Sequence, residues 1–328
     1  MALDPKRRHH SAQRRRANRA RGQRRGHRRV RATRVQAGSR YKITRRCLER
    51  RLFLNPDEPY VRQVCGYLLG VCAKEYGILI HSACFMGNHY HLDVTDTRGQ
   101  FPAFKNKFNS MLAKALNARR GRFDTFWSGG SSCDVELVSG EDVVDRMAYT
   151  LANPVSAGLV RRSTRWPGLT TAGVAFGTTL TFERPDQFFD HKNPANPDTA
   201  SFTVVRPAVL PELSDEEFQA ELEHRVAERE RDAADKLRAE HRRFLGESRL
   251  SRQRWNEAPR NREERFGIRP TVAGTKWGRI AALQRNKEWD AAYAEAYDAR
   301  LRGEDYVFPY GTYAEVRFRN APVAEAPS

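Results

Sequence analysis

Acidic side chains are almost absent from the start of this chain: Asp4 is the lone acid in residues 1–36, against 14 lysines and arginines. Most of the +18 formal charge of the 328 residues therefore sits there. Residues 37–160 carry 16 basic and 12 acidic side chains, and residues 161–328 carry 28 and 27. A leader this rich in arginine and poor in apolar residues cannot bury enough surface to fold alone, so residues 1–37 are expected to be a disordered basic tail. Its charge suits sequence-independent contact with phosphates. Cysteine is scarce too. The five (Cys47, Cys65, Cys72, Cys84 and Cys133) include no Cys-x-x-Cys pair, which excludes a zinc ribbon and a secreted disulfide framework and points to a reducing cytoplasm. No apolar run is long enough for a bilayer, and none follows the N-terminal charges, so neither a membrane span, a secretory signal nor a membrane partner is expected.

Periodic apolar patterns begin after Gly38. Tyr41-Lys42-Ile43-Thr44 reads as a short first strand. Asn55-Pro56-Asp57 offers a helix start, and Val61, Val64, Cys65, Leu68 and Cys72 make one buried face ending near Gly77. Ile78 to Met86 suits a central strand, Gly87-Asn88 a turn, and His89 to Thr95 a returning strand. Phe101, Phe104, Phe108, Met111, Leu112 and Ala115 mark a second amphipathic helix, closed by Gly121. Cys133 to Val138 reads as a fourth strand. Ser139 and Asp142 then cap a third helix that turns Val144, Met147, Ala148 and Leu151 inward. The order β-α-β-β-α-β is the split βαβ arrangement of a ferredoxin-like α+β domain: an antiparallel sheet with two helices across one face, placed at residues 38–165. Residues 166–213 look like an irregular connection. A mostly helical extension of unassigned role follows at 214–328. It opens on the capping box of Ser214 and Glu217, with a charged helix to about Leu245, an Arg-rich linker over 246–274 and a helix before Gly303.

Chemistry concentrates in two places. On a strand, alternate residues point the same way, so His89 and His91 share a face while Tyr90, Leu92 and Val94 take the other. Two neutral imidazoles side by side are ready ligands for a divalent metal. On the third helix, Asp145, Tyr149 and Asn153 fall four residues apart in one stripe, offset from the inward apolar residues. If that helix crosses the histidine face, a phenol and an amide oxygen come near the metal.

The stretch Phe85-Met86-Gly87-Asn88-His89-Tyr90-His91-Leu92 resembles the HUH segment of single-tyrosine HUH transposases of bacterial insertion sequences. Tyr149-Thr150-Leu151-Ala152-Asn153-Pro154-Val155-Ser156-Ala157-Gly158 resembles their nucleophile helix, and the Asn-Pro-Val signature is nearest to the REP-associated tyrosine transposases. Arg119-Arg120-Gly121-Arg122, Phe126-Trp127 and Trp166-Pro167 are similar as well, so the likeness covers about residues 38–170. It implies that His89 and His91, with Asn153, bind Mg²⁺ or Mn²⁺. It also implies that Tyr149 attacks single-stranded or hairpin DNA, leaving a 5′-phosphotyrosine bond and a free 3′-OH that can later rejoin strands. A cytoplasmic, nucleoid-associated location follows from such a substrate. Whether Tyr149 serves its own subunit's metal or that of a partner in a homodimer stays open, as does the target sequence.

The chain departs from that pattern at Gly87, where the family commonly has proline, and at Ser128-Gly129-Gly130-Ser131-Ser132, where it has basic residues. Lys105, Lys107, Lys114, Arg119, Arg120 and Arg122, on or after the second helix, are candidate DNA contacts beside the metal site. Asp93 shares the histidine face and is expected to be a solvated strand residue, His81 a satisfied strand histidine. A histidine-triad hydrolase is excluded, because Asp93 stands at the third histidine position. The competing reading is a non-catalytic nucleic-acid-binding or regulatory protein derived from such a transposase.

Overall fold

The computed structural model describes residues 34–56, 58–129, 132–259 and 271–326. Most of the expected basic tail, the Asp57 of the expected helix start and residues 260–270 of the expected linker lie outside them. The chain divides into two compact units, one from Val35 to Trp289 and a second containing Arg34 and the residues from Asp290 onward.

In the larger unit, β1 (Ser39–Arg46) leads through a short 3-10 turn to α1 (Pro59–Tyr76). β2 (Ile78–Phe85), β3 (His89–Asp96), α2 (Phe101–Arg119), β4 (Cys133–Leu137) and α3 (Gly140–Ser156) follow. β1 lies between β3 and β4, and β2 pairs with β3, all antiparallel. Tyr90, Leu92 and Val94 of β3 join one core with Val64, Leu68 and Cys72 of α1 and Phe104, Phe108 and Leu112 of α2. α3 belongs to different clusters: with Val135 and Leu137 of β4, and with Cys84 and Met86 at the end of β2. The sheet thus carries α1 and α2 on one face and α3 on the other, where strand alternation puts His89 and His91.

The local causes are visible. α1 begins with Pro59 in its first turn, where a missing N–H is harmless, and ends on Gly77 at φ 66°. The Ser139 side chain caps α3 by accepting from the Asp142 N–H. At the other end Pro154 removes one helical donor and Gly158 adopts φ 71°, so the Asn-Pro-Val-Ser-Ala-Gly run stops the helix just beyond Asn153. Trp166 donates from Nε1 to the Phe85 carbonyl at 2.8 Å, and residues 169–171 cover the edge of β2.

Three expectations change. The sheet is mixed, not purely antiparallel: β7 (Val272–Ala273) pairs parallel to β4 from inside the expected linker. Two residues carry no readable periodicity. The connection expected to be irregular holds a hairpin of β5 (Thr179–Glu183) and β6 (Thr199–Thr203), which lies on α1 where Gly66 and Gly70 leave room for Phe182 and the Ser201 backbone. The long loop between its strands hid it. The charged helix of the extension, α4 (Asp215–Ala239), has the expected capping box but ends six residues early. Its Phe218 and Leu222 pack on Val143, Val144 and Met147 of α3. A four-residue helix α5 (Glu247–Leu250) and the long α6 (Lys276–Arg302) follow. The smaller unit gathers Ala296, Phe308 and Ala321 with Tyr293 and Tyr297, and includes α7 (Ala314–Arg319). Among the described residues, no helix is long and apolar enough to cross a membrane.

Candidate functional site

Register builds the site. Residues directly opposed in an antiparallel pair share a face, and β1 sets Arg40, Lys42, Thr44 and Arg46 across from Thr95, Asp93, His91 and His89. α3 lies over this row. The His89 and His91 rings stand 4.8 Å apart between centroids, edge to face, and the Tyr149 ring stands 5.5 Å from that of His91 at 85°. Tyr149 is 39 % exposed, so its phenol is reachable from solvent, whereas His91 is 4 % exposed. Asn153, one turn on, hydrogen-bonds His89. The sequence-predicted residues His89, His91, Tyr149 and Asn153 are therefore neighbours.

Both imidazoles are held by one nitrogen. His91 Nδ1 lies 2.8 Å from Thr44 Oγ1, and His89 Nδ1 lies 2.6 Å from Asn88 Oδ1. An acceptor amide oxygen at Asn88 puts the proton on His89 Nδ1 and leaves the lone pair on Nε2. Burial pushes the His89 imidazole down to about 4, helped by the nearby Arg46 charge and opposed by the Asn153 hydrogen bond. Burial, then the neighbouring His89, Lys42 and Arg46, drive His91 well below its ordinary value. Both rings are neutral at pH 7, which is the form that binds metals. His91 Nε2 is buried and has no hydrogen-bond partner among the described residues. A buried polar atom without a partner is costly and asks for an explanation. A divalent cation fits: two neutral imidazoles, each oriented through its other nitrogen, plus an amide oxygen, form a nitrogen-rich donor set. Among the described residues no group of three or more His, Cys, Asp or Glu side chains is placed to hold a metal ion; the amide of Asn153 is the further polar side chain next to His89.

Beneath Tyr149 lies a network that the sequence did not announce. Lys42 Nζ donates to Thr150 Oγ1 at 2.5 Å and to the Arg146 carbonyl at 3.1 Å, stands 3.7 Å from Asp93 Oδ1, and sits 4.8 Å from the Tyr149 ring centroid. Asp93 Oδ2 accepts from Ser82 and Thr150, each at 2.5 Å. Asp93 is 1 % exposed, which corrects its expected place in solvent: Lys42 supplies the opposite charge and Thr150 covers it. Burial lowers the Lys42 ammonium and raises the Asp93 carboxyl, and each partner's charge opposes the shift. From α4, Arg229 pairs with Asp145 at 2.5 Å and stands 5.9 Å from the Tyr149 ring. The Asp145, Tyr149, Asn153 stripe thus meets Arg229, His91 and His89 in turn.

His81 is satisfied as expected, by the Val205 carbonyl and Thr95 Oγ1, both at 2.7 Å. Tyr90 points away and donates to Asn109 Oδ1 at 2.8 Å. The basic candidates of the second helix are not beside the histidines, which corrects that expectation: α2 packs on the Tyr90 face. Lys105 pairs with Asp134, Lys107 with Glu75 at 2.5 Å, and Arg119 with Glu58 at 2.8 Å. Arg120 donates to the Phe53 carbonyl at 2.6 Å, and Arg122 stacks 4.1 Å from the Phe53 ring. Lys114 is exposed on the same helix.

Two stability measurements check this account. Removing one member of a buried ion pair strands the other, at a cost of about 3–5 kcal/mol. Lys42→Met is expected to lose that much by chemical denaturation, and Lys42→Met with Asp93→Leu to regain most of it; additive losses would contradict the coupling. Burial holds His81 at about 4 against an ordinary 6.5. Between those values the unfolded chain binds a proton that the folded chain refuses, so stability is full above pH 6.5 and falls toward pH 4, by roughly 3 kcal/mol. The stability difference between wild type and His81→Gln should therefore shrink as pH drops across that window, and a constant difference would contradict it.

No protein-family model matches the chain, and no curated protein matches it. Among solved structures, that of a REP-associated tyrosine transposase bound to a REP hairpin is similar over 42 % of this chain and 78 % of that one, at 17 % identity and a TM-score of 0.35, a distant likeness.

Proposed function

We propose that this chain is a metal-dependent transposase or endonuclease that cleaves and rejoins single-stranded DNA through Tyr149. What carries the proposal is the Tyr149 ring standing 5.5 Å from His91, whose buried Nε2 has no hydrogen-bond partner among the described residues. A reachable phenol and a buried imidazole nitrogen without a hydrogen-bond partner meet within one chain, so nucleophile and metal ligands belong to the same subunit in this account. The order β2-β3-β1-β4 with α1 and α2 on one face supports reading the core of the domain as ferredoxin-like.

His89, His91 and Asn153 would hold Mg²⁺ or Mn²⁺, which supplies positive charge to the phosphate oxygens. Tyr149 Oη forms a bond to phosphorus as it loses its proton, the bond from phosphorus to the 3′ oxygen breaks, and that oxygen leaves as a hydroxyl. The product is a 5′-phosphotyrosine. Reversal by a 3′-OH of another strand restores a phosphodiester and frees the phenol, with no nucleotide cofactor. Thr44 and Asn88 keep the imidazoles oriented, and Lys42 with Thr150 holds the phenol close, which contributes through proximity. Work on DNA places the protein in the cytoplasm, at the nucleoid.

The test is incubation of the full chain with labelled, hairpin-bearing single strands and Mg²⁺ or Mn²⁺. Wild type should cleave and carry a denaturation-resistant DNA adduct, and Tyr149→Phe should lose both by at least roughly 1000-fold. His89→Ala should lose cleavage while keeping most of the binding, since phosphate contact comes mainly from lysine and arginine. Equal binding by wild type and Tyr149→Phe with cleavage by neither would favour the non-catalytic nucleic-acid-binding protein instead.

A further inference from the structure

Helix α4 belongs to the extension, and one of its residues breaks the pattern of the others. Phe218, Leu222 and Val226 pack with α3, Ala233 packs with Val155, and Leu237 is buried next to Gly158. Their spacing makes one inward stripe, and Arg229 stands between Val226 and Ala233, where that stripe calls for an apolar residue. A charge set there costs solvation unless an opposite charge meets it. Asp145 does so, accepting from Arg229 Nη2 at 2.5 Å. Arg225, one turn earlier, is engaged elsewhere, by Glu221 at 2.6 Å and the Glu141 carbonyl at 3.4 Å. The Asp145 contact leaves the Arg229 guanidinium 5.9 Å from the Tyr149 ring centroid. Tyr149 itself is held through its ring: His91 meets it edge on at 5.5 Å and Lys42 Nζ stands at 4.8 Å. Among the described residues its hydroxyl makes no hydrogen bond. A cation within about 6 Å of an aromatic centroid is attracted to the ring. A tyrosine 39 % exposed on a helix has more than one staggered χ1 open to it, so a contact from outside the sheet decides which is kept. Lys42 approaches from the sheet, and Arg229 is the cation that another helix supplies.

We infer that Arg229 is a positioning residue for Tyr149: oriented by Asp145, it keeps the phenol ring over His91, and the extension is thereby part of the cleavage apparatus. That Tyr149 is the nucleophile rests on the function proposed above; that Arg229 fixes its ring does not. Asp145 takes one N–H of the guanidinium, so the positive charge, more than the planar fork, is what the ring meets. Lysine is the substitute that keeps this charge.

Two readouts on the full-length protein test this. The first needs no chemistry: Arg229→Met, Tyr149→Leu and the double variant are unfolded by denaturant. A contact between cation and ring should appear as a coupling of about threefold in the unfolding equilibrium constant, and additive losses would overturn it. The second is cleavage of a labelled hairpin-bearing single strand with Mn²⁺, at a temperature where every variant is folded. Arg229→Met should lower kcat about tenfold and leave KM within about twofold, and Arg229→Lys should restore most of the loss. Arg225→Met removes a side chain that ties the same helix to α3 without meeting Tyr149, and should keep kcat within about twofold of wild type. Equal kcat losses in Arg225→Met and Arg229→Met would reduce the role to helix docking and overturn the inference. A rise in KM with kcat unchanged would make Arg229 a DNA contact and overturn it as well. If the coupling is present while wild type never cleaves, the nucleophile reading fails and the fixed ring stands; if wild type cleaves and Arg229→Met keeps its kcat, the positioning role alone fails.

Discussion

A lysine and an aspartate face each other across two strands with a helix threonine between them, and the arrangement of the site depends on that contact. Lys42 and Asp93 are among the most deeply buried charges in the protein. Taking two ions out of water costs several kcal/mol each, and their attraction offsets this only when the remaining polar atoms are also satisfied. Thr150, Ser82 and the Arg146 carbonyl do most of that here. Two of those groups belong to α3, so the network fixes the rotation of that helix on the sheet. Tyr149 precedes Thr150 and Asn153 follows three residues later. Once Thr150 is seated between the charges, the phenol must lie over His91 and the amide must reach His89. A purely apolar contact would let the helix slide or roll at little cost, and a site of this kind tolerates neither.

The extension takes part in the same constraint. α4 closes over α3 with Phe218 and Leu222, and Arg229 pairs with Asp145 one turn before the tyrosine. Further along, Glu230 accepts from the Ser163 backbone and hydroxyl at 2.7 and 2.6 Å, tying down the segment that leaves α3. α3 is therefore held from below by charge and from outside by an apolar stripe flanked by ion pairs.

Much of this was legible in the sequence, for physical reasons. The strand-and-helix order through α3 followed from periods of two and about 3.6, and the sharing of a face by His89 and His91 followed from alternation alone. The Tyr149 and Asn153 stripe needed only helical spacing. What escaped notice is long-range. Asp93 looked solvated because nothing local to β3 shows that Lys42 will stand across from it; the alternation of Arg40, Lys42, Thr44 and Arg46 holds that signal, but only once the register is known. Arg229 arrives from 80 positions beyond Tyr149, out of a helix with nine acidic and five basic side chains, a mixture that gave no hint of a target. The basic residues of α2 misled for the opposite reason: their charge was evident, but the face they occupy was not, and most of them pair with acids or carbonyls of their own fold.

The central claim is that two neutral imidazoles beside Tyr149 hold a divalent cation. Pulsed electron paramagnetic resonance of Mn²⁺ added to the full-length protein tests it most directly, because directly bound imidazole nitrogen modulates the electron spin echo in a way that water and carboxylate do not. The account predicts nitrogen modulation from two imidazoles, reduced in His89→Ala and in His91→Ala and retained in Tyr149→Phe. Bound manganese without nitrogen modulation, or modulation indifferent to both histidine substitutions, would contradict it.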